Sequence, residues 1–122
     1  MPIETILIID DEPSVRDIFI KFMELGNYKA YGAASALEGL RLFELRQPDL
    51  IISDLLMPHI DGYEFCERIR QTSDVPIIIV TGYPQDRRAR GRQRRGPDVI
   101  LAKPVTMDQL LSTVEALLHQ AR

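Results

Sequence analysis

The chain has no tryptophan and one cysteine, Cys66, among its 122 residues. A single cysteine cannot close an internal disulfide. With only two histidines, His59 and His119, no Cys/His cluster offers four ligands to a structural zinc. A reducing compartment, the cytoplasm, is the expectation. Long apolar runs are missing as well: the longest candidates break at Asp10, Ser53 and Thr81, short of the roughly 18 residues needed to cross a bilayer. The amino-terminal stretch has no basic start and no small-residue cleavage site, so secretion and membrane insertion are not expected. Neither G-x-G-x-x-G nor G-x-x-x-x-G-K-[ST] follows a strand-like run, which removes the usual dinucleotide and P-loop sites. What is present is ordinary globular composition, 45% hydrophobic and 27% charged. That length predicts one domain over residues 1–122, able to bury a core of its own.

The net charge of -3 hides an uneven distribution. Arg87, Arg88, Arg90, Arg92, Arg94 and Arg95 fall in one stretch, and the rest of the chain holds 9 basic residues against 18 acidic ones. The body and this stretch are therefore suited to different partners.

Along the chain, short β-branched runs alternate with segments of helical periodicity. Ile3 to Ile9 reads as a strand buried on both faces. Pro13 suits a first helical turn, and Val15, Ile18, Phe19, Phe22, Met23 and Leu25 continue it to Gly26-Asn27. A second strand covers Tyr28 to Ala33. Ser35 and Glu38 then form a capping box for a helix carrying Leu37, Leu40, Leu42, Phe43 and Leu45, closed by Pro48. Leu50 to Asp54 is a third strand, and a third helix starts near Asp61-Gly62 and contains Tyr63, Phe65, Cys66 and Ile69. Pro76 to Thr81 and Val99 to Ala102 supply strands four and five. Thr106 and Gln109 cap a last helix with Leu110, Leu111, Val114, Leu117 and Leu118.

The order βαβαβαβαβα implies a parallel sheet with helices on both faces, because right-handed crossovers lay a helix over the sheet after each strand. Ligands of such open sheets gather beyond the carboxyl ends of the strands. Those ends hold Asp10 and Asp11, Asp54, Thr81 and Lys103. Neighbouring carboxylates repel by about 4 kcal/mol per pair at 4 Å and an effective dielectric near 20, so a cation is expected among them. Oxygen donors with room for water favour Mg²⁺ over Ca²⁺. Asp54 could then act as a nucleophile toward phosphorus, with Lys103 neutralising phosphoryl oxygens and Thr81 donating a hydrogen bond. The product would be an aspartyl phosphate.

Asp10-Asp11, Asp54 with Met57-Pro58 and Asp61-Gly62 behind it, Thr81-Gly82 and Lys103-Pro104 together resemble the receiver domain of bacterial two-component response regulators. The resemblance runs the length of the chain. It implies a (βα)5 flavodoxin-like three-layer sandwich with parallel sheet order 2-1-3-4-5. It makes Asp54 the phosphorylation site, with Thr81 and Lys103 as its catalytic partners. Asp11, Asp54 and the main-chain carbonyl of Leu56 would hold Mg²⁺ directly, and Asp10 mostly through water. It also implies a cis Lys103-Pro104 bond, as only X–Pro bonds readily permit. A sensor histidine kinase or histidine phosphotransfer protein would supply the phosphoryl group. The chain would catalyse only its own phosphorylation and dephosphorylation, and a downstream output partner would read the result. No membrane contact is expected, nucleic acid is not the expected partner of this domain alone, and a homodimer is open.

Two features depart from the family pattern, and a third bears on the lifetime of the product. Residues 85–95, where a fourth helix is expected, offer only Ala89 as an apolar residue, and arginines four apart repel. They form either a frayed solvated helix or a contact surface for an acidic partner, nucleic acid or a second copy. Ile100 stands where receivers commonly carry an aromatic ring that swings inward. Leu56 and Tyr83 flank the site, and neither readily orients an attacking water. Two other readings stay open: a receiver-like interaction module that is never phosphorylated, and a phosphohydrolase of the haloacid dehalogenase type. The latter needs a second carboxylate two residues after the nucleophile, where this chain has Leu56.

Overall fold

The computed structural model describes residues 3–84 and 96–119. Among these residues, five strands and four helices follow one another as β1 (Thr5–Ile9), α1 (Pro13–Leu25), β2 (Lys29–Ala33), α2 (Ala36–Arg46), β3 (Leu50–Asp54), α3 (Gly62–Arg70), β4 (Ile77–Thr81), β5 (Val99–Ala102) and α4 (Met107–His119). The sheet is parallel throughout, in the order β2-β1-β3-β4-β5. This is the flavodoxin-like arrangement expected above. The fourth helix expected at residues 85–95 lies outside the described residues.

Strand position explains strand composition. The inner strands β1, β3 and β4 are covered on both faces, and an unbroken apolar run is what such a strand needs. The edge strands β2 and β5 are only partly buried, in keeping with Lys29, Tyr31 and Gly32 in one and Ala102 in the other.

Side-chain alternation along the strands divides the interior in two. Leu7, Ile9, Ile51, Ile77 and Ile79 pack against Ala36 of α2 and against Tyr63, Phe65, Cys66 and Ile69 of α3. On the opposite face Ile6, Ile8, Leu50, Ile52, Ile78 and Val80 meet Phe19 and Met23 of α1 and Leu110 and Val114 of α4. Gly39 lets α2 lie close to the sheet: a Cβ there would stand 2.5 Å from Ile9 Cδ1.

Helix ends form largely where the sequence places them. Pro13 occupies the first turn of α1. The Ser35 hydroxyl accepts from Glu38 N–H at 3.1 Å, while the Glu38 carboxylate reaches back one residue further than a standard capping box, to Ala34 N–H at 2.7 Å. Asp61 accepts from Glu64 N–H at 2.9 Å. Thr106 and Gln109 cap α4 reciprocally, at 3.1 and 3.2 Å. The first strand begins at Thr5 rather than Ile3, whose side chain is exposed. Ile18, Leu25, Leu37 and Leu45 are also exposed, because the stripe a helix presses on a sheet is narrower than the full apolar pattern.

Cys66 is fully buried. Burial pushes its thiol up to about 12, opposed by the Arg70 charge and reinforced by Asp98. A folded-state value above the ordinary thiol range means that stability present at neutral pH declines as the pH climbs from about 8.5 toward 12, since only the unfolded chain ionises there. At pH 8 a disulfide reagent should therefore label Cys66 at the rate of unfolding. Labelling that ran at the speed of a free thiol without denaturant would contradict this burial.

Candidate phosphoacceptor site

The acidic residues meet because β1 and β3 are neighbours that end at the same edge. One carboxylate oxygen from each of Asp10, Asp11 and Asp54 lies within 4.8 Å of the others. Asp10 is 1% exposed. Its N–H donates to Ala33 O at 3.2 Å and its Oδ1 accepts from Glu12 N–H at 2.9 Å. Its Oδ2 is buried without a hydrogen bond, and Lys103 Nζ stands 3.7 Å away, an ion-pair distance too long for a hydrogen bond. Asp11 is exposed at the mouth of the cluster.

Asp54 closes β3 with its side chain 11% exposed. Its Oδ1 accepts from Leu55 N–H at 2.8 Å and stands 3.4 Å from Lys103 Nζ. Burial raises its pKa above the usual carboxylate range; the Lys103 charge pulls it down, and the Asp10 charge adds to the rise. The Lys103 charge thus offsets part of what burial costs the ionised form of Asp54.

Thr81 ends β4 fully buried, and its Oγ1 accepts from Tyr83 N–H at 2.9 Å. Lys103 follows β5, its N–H bonded to Thr81 O at 2.8 Å, and the Lys103-Pro104 peptide bond is cis. Gly62 brings the start of α3 against the end of β3: its N–H donates to Leu55 O at 2.7 Å, and a Cβ would stand 2.7 Å from Asp54 O. That close approach accounts for glycine after Asp61. Leu56 lies in the turn after β3 with its side chain 49% exposed, and Tyr83 is 64% exposed beyond Thr81. Ile100 is partly buried on the α2 and α3 side of the sheet.

The structure also supplies contacts that sequence reading missed. Arg16, on the first turns of α1, donates from Nη1 to Asp10 O at 2.8 Å. Arg70, at the end of α3, donates to Gly96 O, Val75 O and Asp98 Oδ2, and the last of these also accepts from Ile77 N–H at 2.8 Å. An arginine on an amphipathic helix gives no signal of its own that it serves main-chain carbonyls.

Fold and site define a class: a doubly wound parallel α/β protein whose strand edge carries an acidic pocket with an opposing lysine, rather than a glycine-rich nucleotide loop. The chain belongs to the response regulator receiver domain family, whose model matches residues 6–115. It is similar to the DNA-binding dual master transcriptional regulator RpaA of Synechocystis, 35% identical over 118 residues that make up 94% of this chain and 49% of that protein. The transcriptional regulatory protein AfsQ1 of Streptomyces coelicolor is 33% identical over 116 residues, 95% of this chain and 52% of that one. The chain thus spans about half the length of these curated relatives. Among solved structures, a response regulator receiver domain protein from Clostridium thermocellum superposes with a TM-score of 0.90 at 28% identity, covering 98% of this chain and 97% of that one. The acidic pocket of Asp10, Asp11 and Asp54 is the one typical of a receiver's phosphoacceptor site. No helix among the described residues is long and apolar enough to cross a membrane.

Proposed function

We propose that Asp54 is the phosphorylated residue, that Thr81 and Lys103 are its catalytic partners, and that the chain forms one receiver domain that turns over no other substrate. The observation that carries this reading is the placement of Lys103 Nζ 3.4 Å from Asp54 and 3.7 Å from Asp10, one cation between two carboxylates at the end of the sheet. A phosphohistidine on a sensor kinase or phosphotransfer protein is the donor. An Asp54 oxygen attacks phosphorus, the P–N bond breaks as the acyl phosphate forms, and the departing imidazole nitrogen takes up a proton.

The donor set also fits a hard divalent cation: three carboxylates, of which Asp10 keeps a buried oxygen without a hydrogen bond. Asp10, Asp11 and Asp54 would hold Mg²⁺ with the carbonyl of Leu56, and the ion would neutralise charge on the phosphoryl oxygens. Lys103 orients and neutralises the same group from the other side. Thr81, once its hydroxyl leaves the Tyr83 amide, can donate to a phosphoryl oxygen. The aspartyl phosphate then biases a surface read by an output partner. A cytoplasmic setting is consistent with the response regulator relatives.

Incubation with acetyl phosphate should add one phosphoryl group to the intact mass when Mg²⁺ is present and none when it is chelated. Uptake independent of divalent cation would remove the ion from this account. Leu56 and Tyr83 place an aliphatic chain and an aromatic ring at the mouth, and neither is a base. The phosphoryl group should accordingly be long-lived. Loss of radiolabel with a half-life of only seconds would show that some other group positions the water.

A further inference from the structure

Asp10 is held at three atoms, and only one of the three bonds comes from a side chain. Its N–H is fixed by Ala33 O on β2, its Oδ1 by Glu12 N–H, and its carbonyl by Arg16 Nη1 at 2.8 Å. The remaining oxygen, Oδ2, is the buried one that faces Lys103. Aim is therefore built into the main chain around Asp10, and Arg16 closes that arrangement from α1.

The route of the Arg16 stem is equally specific. It lies over Gly32 of β2, where a Cβ would stand 2.7 Å from Arg16 Cδ and 2.9 Å from Cγ. Gly32 has no positive φ, so backbone conformation is not what asks for glycine there. The strand that anchors the Asp10 amide through Ala33 also clears the path, one residue earlier, for the arginine that anchors its carbonyl.

The geometry points to Arg16 as a positioning residue for the acidic pocket, with Gly32 as the gap that seats it: together they set the orientation of Asp10 Oδ2 and hence the affinity of the pocket for a divalent cation. Arg16 acts through the Asp10 main chain, to whose carbonyl it donates. This inference rests on the cation-dependent reading above. Groups that orient metal-binding side chains typically contribute 10- to 100-fold in affinity, and a contact through a main-chain carbonyl belongs at the low end.

Three variants test it: Arg16→Met, which keeps the stem and loses the donor; Gly32→Ala, which pushes the stem aside; and Arg16→Lys, which retains a donor. Amide exchange at Glu12, whose N–H donates to Asp10 Oδ1, read by NMR on the metal-free protein, should quicken about fivefold in Arg16→Met and Gly32→Ala, as weakening of that hydrogen bond on release of the Asp10 carbonyl predicts. Calorimetric titration with Mg²⁺ should show affinity lowered about 10-fold in both. The double variant should be no weaker than either single one, because both break the same contact. Arg16→Lys should recover most of the affinity. A merely structural role would lower the melting temperature and leave Glu12 exchange and Mg²⁺ affinity at wild-type values, and that result overturns the inference. If the wild type itself takes up no Mg²⁺, the cation-dependent reading fails, whereas the Glu12 amide in metal-free protein still decides whether Arg16 holds the turn.

Discussion

Asp54→Asn should take up no phosphoryl group from acetyl phosphate under conditions that fully modify the wild type, while folding at least as stably. An asparagine amide is a poor nucleophile toward phosphorus, so the covalent step is lost outright rather than slowed. The substitution keeps shape: the amide oxygen can accept the Leu55 N–H that Oδ1 accepts at 2.8 Å. Its effect on stability has the opposite sign to its effect on chemistry. Burial raises the Asp54 pKa, so the ionised carboxylate is disfavoured in the folded state, and above the ordinary carboxylate pKa that charge costs stability which a neutral amide does not. The loss of the Lys103 contact at 3.4 Å offsets part of the gain. Intact mass and urea denaturation on the same preparations check both halves. A phosphorylated Asp54→Asn protein would place the acceptor elsewhere, and an unmodified wild type would favour an interaction module that keeps the fold without the chemistry. Steady turnover of a simple phosphate ester would instead revive the hydrolase reading, although Leu56 stands where that mechanism needs a carboxylate.

Arg70→Met should lower the free energy of unfolding by about 2–3 kcal/mol without changing phosphoryl uptake. The Arg70 side chain is 10% exposed and serves the carbonyls of Ser73, Val75 and Gly96 together with the Asp98 carboxylate, so four acceptors lose a charged donor at once. Breaking a fully enclosed ion pair costs about 3–5 kcal/mol. Asp98 is 41% exposed and keeps its bond from Ile77 N–H, which brings the expected cost down. Because these contacts sit where β4 and β5 begin, at the far end of the strands from Asp54, the chemistry should be untouched. A melting curve superimposable on the wild type would mean that water replaces the guanidinium at little cost.

Which parts of the molecule were legible beforehand follows from how each is encoded. The inner strands were plain because double-sided burial demands runs such as Ile77-Ile78-Ile79-Val80, and little else in a short chain looks like that. The pocket was legible because parallel strands bring their carboxyl ends to one edge, so Asp10, Asp54, Thr81 and Lys103 converge once the alternation of elements is recognised. Sheet order was not a matter of periodicity; it came with the family resemblance, and the pairing of β1 with both β2 and β3 agrees with it. Long-range polar contacts were the hidden part. Arg16 on a main-chain carbonyl, Arg70 across three segments and Thr5 N–H on the Asp49 carboxylate at 2.8 Å all depend on tertiary placement, which no local pattern announces. Leu37 and Leu45 erred the other way, counted as apolar face and found in solvent.

The opposite placement of Asp54 and of the Arg70 and Asp49 contacts along five-residue strands has a consequence for how such a chain can change. Roughly 17 Å of buried strand separates the two ends. Two unit charges that far apart interact by only about 1 kcal/mol at an effective dielectric near 20, so signalling lifetime and thermal tolerance are adjustable by largely separate substitutions. Lineages, or engineers, can therefore retune the clock of the switch while leaving its frame alone.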